Sequence, residues 1–166
     1  MLNNFRLRLY LETTVFNYFF DERKGHEDVV KLFEAIRAGC YEGYASQYVT
    51  DELEDAPEPK RSNMLALIKQ YGITLLEPTP KVGHLADLYI ANSIVPALYY
   101  YDSAHIAFAT VHEIGFVISY NFKHINRDKA RIQTAIINHA EGYPSVVICT
   151  AKEVLSNERN KQRNVG

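Results

Sequence analysis

Four oxygen-bearing side chains lie beside the short apolar runs of this 166-residue chain. Glu12 closes RLRLYL, Glu52 sits in QYVTDEL after GYAS, Asp102 stands in YDSAH ahead of IAFATVHEI, and Asn121 follows GFVISY. Hard cations such as Mg²⁺ take oxygen ligands of this kind, usually one or two carboxylates together with waters and substrate phosphate. A carboxylate at the tip of a buried strand must be solvated, paired or bound to metal, because an unpaired buried charge is very costly. Plainer readings stand beside this one. An acid at a helix start also caps free amides and complements the helix dipole, which suits Asp102 equally well. Asp21, Glu22, Asp51, Glu54 and Asp55 read as solvated helix or loop charges. His105, one turn after Asp102, is placed either to orient that carboxylate or simply to pack.

Other chemistries find little support. The six histidines form no HxxxH or HExxH, and there is no GxGxxG, Walker A or GxSxG motif. Cys40 and Cys149 form no CxxC and read as reduced, packed thiols of a cytoplasmic protein. A net charge of −2 supplies no global field for nucleic acid, so any such affinity must come from a local patch. No apolar stretch approaches the roughly 20 residues that cross a bilayer, and MLNNFRLRLY lacks the features of a secretory signal. No membrane association is expected.

The elements that position the acids follow from hydrophobic patterning. Leu7, Leu9 and Leu11 alternate with Arg6, Arg8 and Tyr10, the period of a strand over 6–11. Further strand-like runs fall around 43–46 and at 73–76, 115–119 and 145–148, mostly continuously apolar as strands covered on both faces are. Helical patterns lie between them in HEDVVKLFEAIRAG, QYVTDELEDA, PKRSNMLALIKQYG, KVGHLADLYIANSI, YDSAHIAFATVHEIG and NRDKARIQTAIINHAEG. A last turn runs through AKEVL, followed by a polar tail over 156–166. The alternation implies right-handed crossovers and a parallel sheet in one layered α/β domain over 1–155. Sites in such sheets lie beyond the carboxyl ends of the strands, where Glu12 stands.

Together, YLETTVFNY at 10–18, YASQYVTDEL at 44–53, YDSAHIAFA at 101–109, VISYNFKHIN at 117–126 and ICTAKEVL at 148–155 resemble the PIN domain family, which includes the VapC-like toxins. The resemblance runs in order from Arg6 to Leu155. It implies a three-layer α/β/α sandwich around a central parallel sheet of about five strands, with acids holding Mg²⁺ or Mn²⁺ and cleaving RNA. Transferred position by position, Glu12, Glu52 and Asp102 become the metal ligands, and Asn121 takes the place of a fourth acid. Thr13 and Thr14 occupy the small hydroxyl positions after the first acid. Two departures follow: Glu12 is one methylene longer than the usual aspartate, and Asn121 brings an oxygen without a charge. A one-metal site is therefore expected over a two-metal clamp.

An acidic cluster repels RNA, so a cationic path is needed beside it. Lys123, His124, Arg127, Lys129 and Arg131 supply one directly downstream of Asn121, or else form a solvated helix face. Tyr18, Phe19 and Phe20 are placed to stack bases or to fill the core. The resemblance further implies an antitoxin partner and a homodimer. The competing reading, from the missing fourth acid, is a catalytically weak binding module for nucleic acid or protein.

Overall fold

The computed structural model describes residues 5–163; the last residues of the expected tail, 164–166, lie outside it. The strands β1 (Leu7–Leu11), β2 (Tyr41–Ser46), β3 (Thr74–Leu76), β4 (Phe116–Ile118) and β5 (Val147–Cys149) form one sheet in the order β3-β2-β1-β4-β5. Every pairing is parallel, and Leu9 faces both Gly43 of β2 and Phe116 of β4. The order steps outward from β1 to β3, then jumps back across β1 to β4. That reversal makes the carboxyl end of β1 the place where a crevice opens.

Among the described residues, eight α-helices flank the sheet: α1 (Thr13–Phe20), α2 (His26–Arg37), α3 (Gln47–Glu54), α4 (Lys60–Gln70), α5 (Pro80–Ala91), α6 (Tyr100–Val111), α7 (Asp128–Ala140) and α8 (Ala151–Arg163). The pleat of β1 separates the two helical layers. Tyr10 points toward α6, its ring stacked 6.3 Å from Phe108. On the opposite face, Gly43 sits so close to α2 that an added Cβ would lie 3.2 Å from Ile36. Phe16, Phe19, Phe33 and Tyr71 interlock edge to face in that second layer, with centroids 5.2–5.9 Å apart. These are favourable aromatic geometries. The architecture is the three-layer α/β/α sandwich expected from the sequence.

Two elements differ from the sequence expectation. Sequence patterning assigns no helix to TTVFNYFF, which is rich in β-branched and aromatic residues of modest helix propensity. It forms α1 because Glu12 caps it, accepting from the Thr14 amide at 3.2 Å, and because Val15 and Phe16 are buried. The final helix also continues well past Leu155, to Arg163. Thr150 and Glu153 start it by reciprocal bonds, Thr150 N to Glu153 Oε1 at 3.2 Å and Glu153 N to Thr150 Oγ1 at 3.4 Å, the capping-box arrangement. Buried Ala151 and Val154 then dock its first turns.

Candidate acidic site at the carboxyl end of the sheet

Glu12 leaves β1 and is 2 % exposed. Among the described residues, its side-chain hydrogen bonds all fall on one oxygen. Oε2 accepts from Thr14 N at 3.2 Å, Thr14 Oγ1 at 2.5 Å and Ser119 Oγ at 2.8 Å. Burial pushes its carboxyl above the usual range, against the opposing pull of the His105 charge and of the Thr14 and Ser119 hydroxyls. Glu12 thereby caps α1, whereas Asp102 does not cap α6, whose N-cap Tyr99 has no side-chain cap bond.

Glu52 projects from α3, half-buried, and also binds through one oxygen. Oε1 meets His105 Nε2 at 2.5 Å and accepts from Thr13 Oγ1 at 2.8 Å. Burial raises the Glu52 carboxyl, but the His105 hydrogen bond and charge and the Thr13 hydroxyl outweigh it, leaving the group below its ordinary range. The partner moves the opposite way. Burial lowers the His105 imidazole, but the hydrogen bond and charge of Glu52, with the charges of Glu12 and Asp102, raise it overall. An imidazolium–carboxylate pair accounts for both directions. Behind it, His105 Nδ1 lies 2.7 Å from the Tyr10 hydroxyl, itself 2.8 Å from Ser46 Oγ. His105 thus orients Glu52, where the sequence suggested Asp102.

Asp102, on the first turn of α6, is held by His124 Nδ1 at 2.7 Å on Oδ2. His124 is buried, so it sits behind an acid of the site and not on the cationic surface the sequence suggested. Its backbone amide donates to Asn121 Oδ1 at 3.0 Å, and Asn121 N donates to Ser119 Oγ at 3.0 Å. The side-chain oxygen of Asn121 is therefore engaged in the 121–126 turn. A continuous path runs from Glu12 through Ser119, Asn121 and His124 to Asp102, while Thr13, next to Glu12, reaches Glu52. The structure brings all four sequence-derived positions into one network.

The cationic path is thinner than the sequence suggested. Arg127 donates to Ile94 O at 2.8 Å, and Arg131 is spent on Asp128 at 2.8 Å, on Ile148 O at 3.3 Å and on Asn126. Lys123 and Lys129 stay exposed, and the Lys123 ammonium lies 5.7 Å from the Tyr99 ring centre, beside His124. Phe19 is packed, and Tyr18 stacks on Tyr120 at 4.0 Å. Of the acids read as solvated, Asp21 is instead paired with Lys60 at 2.8 Å and Arg23 at 2.5 Å, which hold its carboxyl below the ordinary range. Asp51, Glu54 and Asp55 line a cleft of about 650 Å³ shared with Glu52, Asp102 and Tyr99 to Tyr101.

Sequence reasoning missed Ser46, Ser119, Tyr10 and the true partner of His105. A signal exists for the two serines, since each directly follows the last apolar residue of its strand, Ala45 or Ile118. The donor chemistry suits a hard dication: each of the three carboxylates keeps one oxygen without a protein partner among the described residues. No three His, Cys, Asp or Glu side chains among those residues close to metal-holding geometry.

The model of the PIN domain family matches residues 9–149. Among solved structures, the crystal structure of Mycobacterium tuberculosis VapC20, titled a Sarcin-Ricin loop cleaving toxin, is similar. The likeness has a TM-score of 0.52 at 12 % identity and covers 83 % of this chain and 98 % of that one. No curated relative matches the sequence.

Proposed function

The chain belongs to the PIN domain family, and we propose that it is a ribonuclease, dependent on Mg²⁺ or Mn²⁺, that hydrolyses RNA phosphodiester bonds. One observation carries the reading: Glu12, Glu52 and Asp102 are tied into one hydrogen-bonded network beyond the carboxyl ends of the strands, each with one oxygen held by the protein and one uncommitted. When bound, the cation supplies positive charge for the scissile phosphate and makes a nearby water more acidic. Glu12, Glu52 and Asp102 would hold it. The chain's own contribution is orientation. His105 and Thr13 fix Glu52, His124 fixes Asp102, and Thr14 and Ser119 fix Glu12, so little freedom remains to be lost on binding. Glu52 is the most open of the three, so its free oxygen is the one best reached by an attacking water. Lys123 is the cation best placed to meet the strand.

The reading extends to a cytoplasmic toxin held in check by an antitoxin encoded elsewhere, and to a homodimer. Light scattering of the purified chain, and co-purification of a neighbouring gene product, would test these. The direct test is incubation with single-stranded RNA and Mn²⁺. Cleavage should appear, stop with chelator, and be lost in Asp102→Asn and Glu52→Gln variants that melt like the parent. Cleavage that survives chelation, or none with any metal and RNA, refutes the proposal. A second reading, a catalytically weak binding module, draws on Asn121: it adds no charge, and its oxygen is already used by His124. Calorimetry separates the two, because the weak module binds no Mn²⁺ at millimolar concentration.

A further inference from the structure

One strand over from the acids, on the same sheet edge, lies a cavity of about 510 Å³ lined by Tyr18, Tyr120, Phe122, Lys24, Thr150 and Lys152. Tyr120 and Thr150 follow the ends of β4 and β5. We infer that this cavity is a nucleobase subsite, taking one base of an RNA strand on its aromatic wall and the adjoining phosphate on Lys24 and Lys152. The inference rests on the ribonuclease reading for its ligand class, but on separate residues for its geometry.

The wall is built to stay in place. Tyr18 and Tyr120 stack with centroids 4.0 Å apart and 22° between planes. Gly25, at φ +103, closes on their edges so tightly that a Cβ would lie 2.9 Å from Tyr120 Cε1 and 3.3 Å from Tyr18 Cδ2. Phe122 stands edge-on to Tyr120 at 6.2 Å and 89°, and it is 56 % exposed. A ring anchored at its edge with more than half its surface in water is a stacking platform, and base–aromatic stacking is tolerant of sequence. The charges are divided usefully. Arg23 is neutralised by Asp21 and lies over the Tyr18 ring at 4.4 Å, whereas Lys24 and Lys152 are exposed and make no ion pair among the described residues. Asp28, also lining the cavity, offers an acceptor to a base N–H and discourages a second phosphate there.

Two hydrogen bonds join this cavity to the acidic site. Tyr120 N donates to Thr14 Oγ1 at 2.8 Å, and that hydroxyl donates to Glu12 Oε2 at 2.5 Å.

The test uses the full chain in chelator, titrated with 5′-AMP, adenosine and ribose 5-phosphate, and followed through backbone amide NMR shifts. 5′-AMP should move the amides of Gly25, Tyr120, Phe122 and Thr150. It should bind several-fold more tightly than adenosine, and ribose 5-phosphate should be weaker still. Phe122→Ala and Phe122→Leu should each weaken 5′-AMP by about tenfold, the effect of a lost stacking face, with unchanged melting. Both should also raise KM for an oligoribonucleotide in Mn²⁺ while leaving kcat within about twofold. Shifts that map elsewhere, or unchanged 5′-AMP affinity in both variants, overturn the subsite even if RNA is cleaved. If 5′-AMP binds as described and no metal supports cleavage, the subsite stands and the ribonuclease reading falls.

Discussion

Replacing Tyr10 by phenylalanine removes one oxygen from the middle of the chain Ser46–Tyr10–His105–Glu52, and its cost can be worked from the bonds it makes. Tyr10, Ser46 and His105 are fully buried, so no solvent can step in for the lost hydroxyl. The change strands His105 Nδ1, now 2.7 Å from Tyr10, and Ser46 Oγ, now 2.8 Å away. Each orphaned buried group costs about 1–3 kcal/mol, so the variant should lose about 2–6 kcal/mol. That is a large part of the roughly 5–15 kcal/mol that holds an ordinary domain together. Urea unfolding at pH 7 measures the loss directly, provided the slope with denaturant is unchanged. Ser46→Ala should then cost less in the Tyr10→Phe background than in the parent, because the shared bond is already gone. With Mn²⁺, the rate of RNA cleavage should fall too, since His105 loses the anchor that points it at Glu52. A loss below about 0.5 kcal/mol, or strict additivity with Ser46→Ala, would refute the idea of a connected chain.

Three further outcomes are expected. Gly43→Ala places a Cβ 2.6 Å from Ile73 Cδ1 and 3.2 Å from Ile36, and should cost about 1–3 kcal/mol by overpacking, read from the urea midpoint. The metal-free chain should melt at lower temperature as pH rises from about 6.5 through the raised titration of His105, because a group whose folded pKa is raised stabilises most below its unfolded value. A parallel series on His105→Gln should lack that slope; an identical slope would place its origin elsewhere. Asn121→Asp keeps the acceptor for His124 N and adds a charge beside the acids, so calorimetry should show several-fold tighter Mn²⁺ binding; weaker binding would mean that residue 121 does not face the cation.

The strands were legible because four of the five lie within continuous or alternating apolar runs, and burial on both faces writes itself into sequence that way. Glu12 followed from a strand end, Glu52 and Asp102 from helix starts beside strands, and their grouping from the family resemblance. What holds them did not. Whether His105 meets Asp102, one turn away, or Glu52, 53 residues away in sequence, is decided by how α3 packs on α6. His124 sits among cations in the sequence, yet the 121–126 turn carries it inward to Asp102. α1 stayed hidden because its cap is a glutamate and not one of the favoured Ser, Thr, Asp or Asn, and because eight residues, half of them aromatic, are too short a run to establish a helical period.

Glu12 both starts α1 and stands first among the acids. Loss of its carboxylate would therefore uncap a helix as well as remove one of the proposed cation ligands. On the ribonuclease reading proposed above, a descendant that abandoned catalysis would be free to discard Glu52 and Asp102, but would still be selected to keep an acceptor at position 12. An acid there is thus a record of folding as much as of chemistry. Drift at positions 52 and 102 is the better sign of whether a lineage still cuts its substrate.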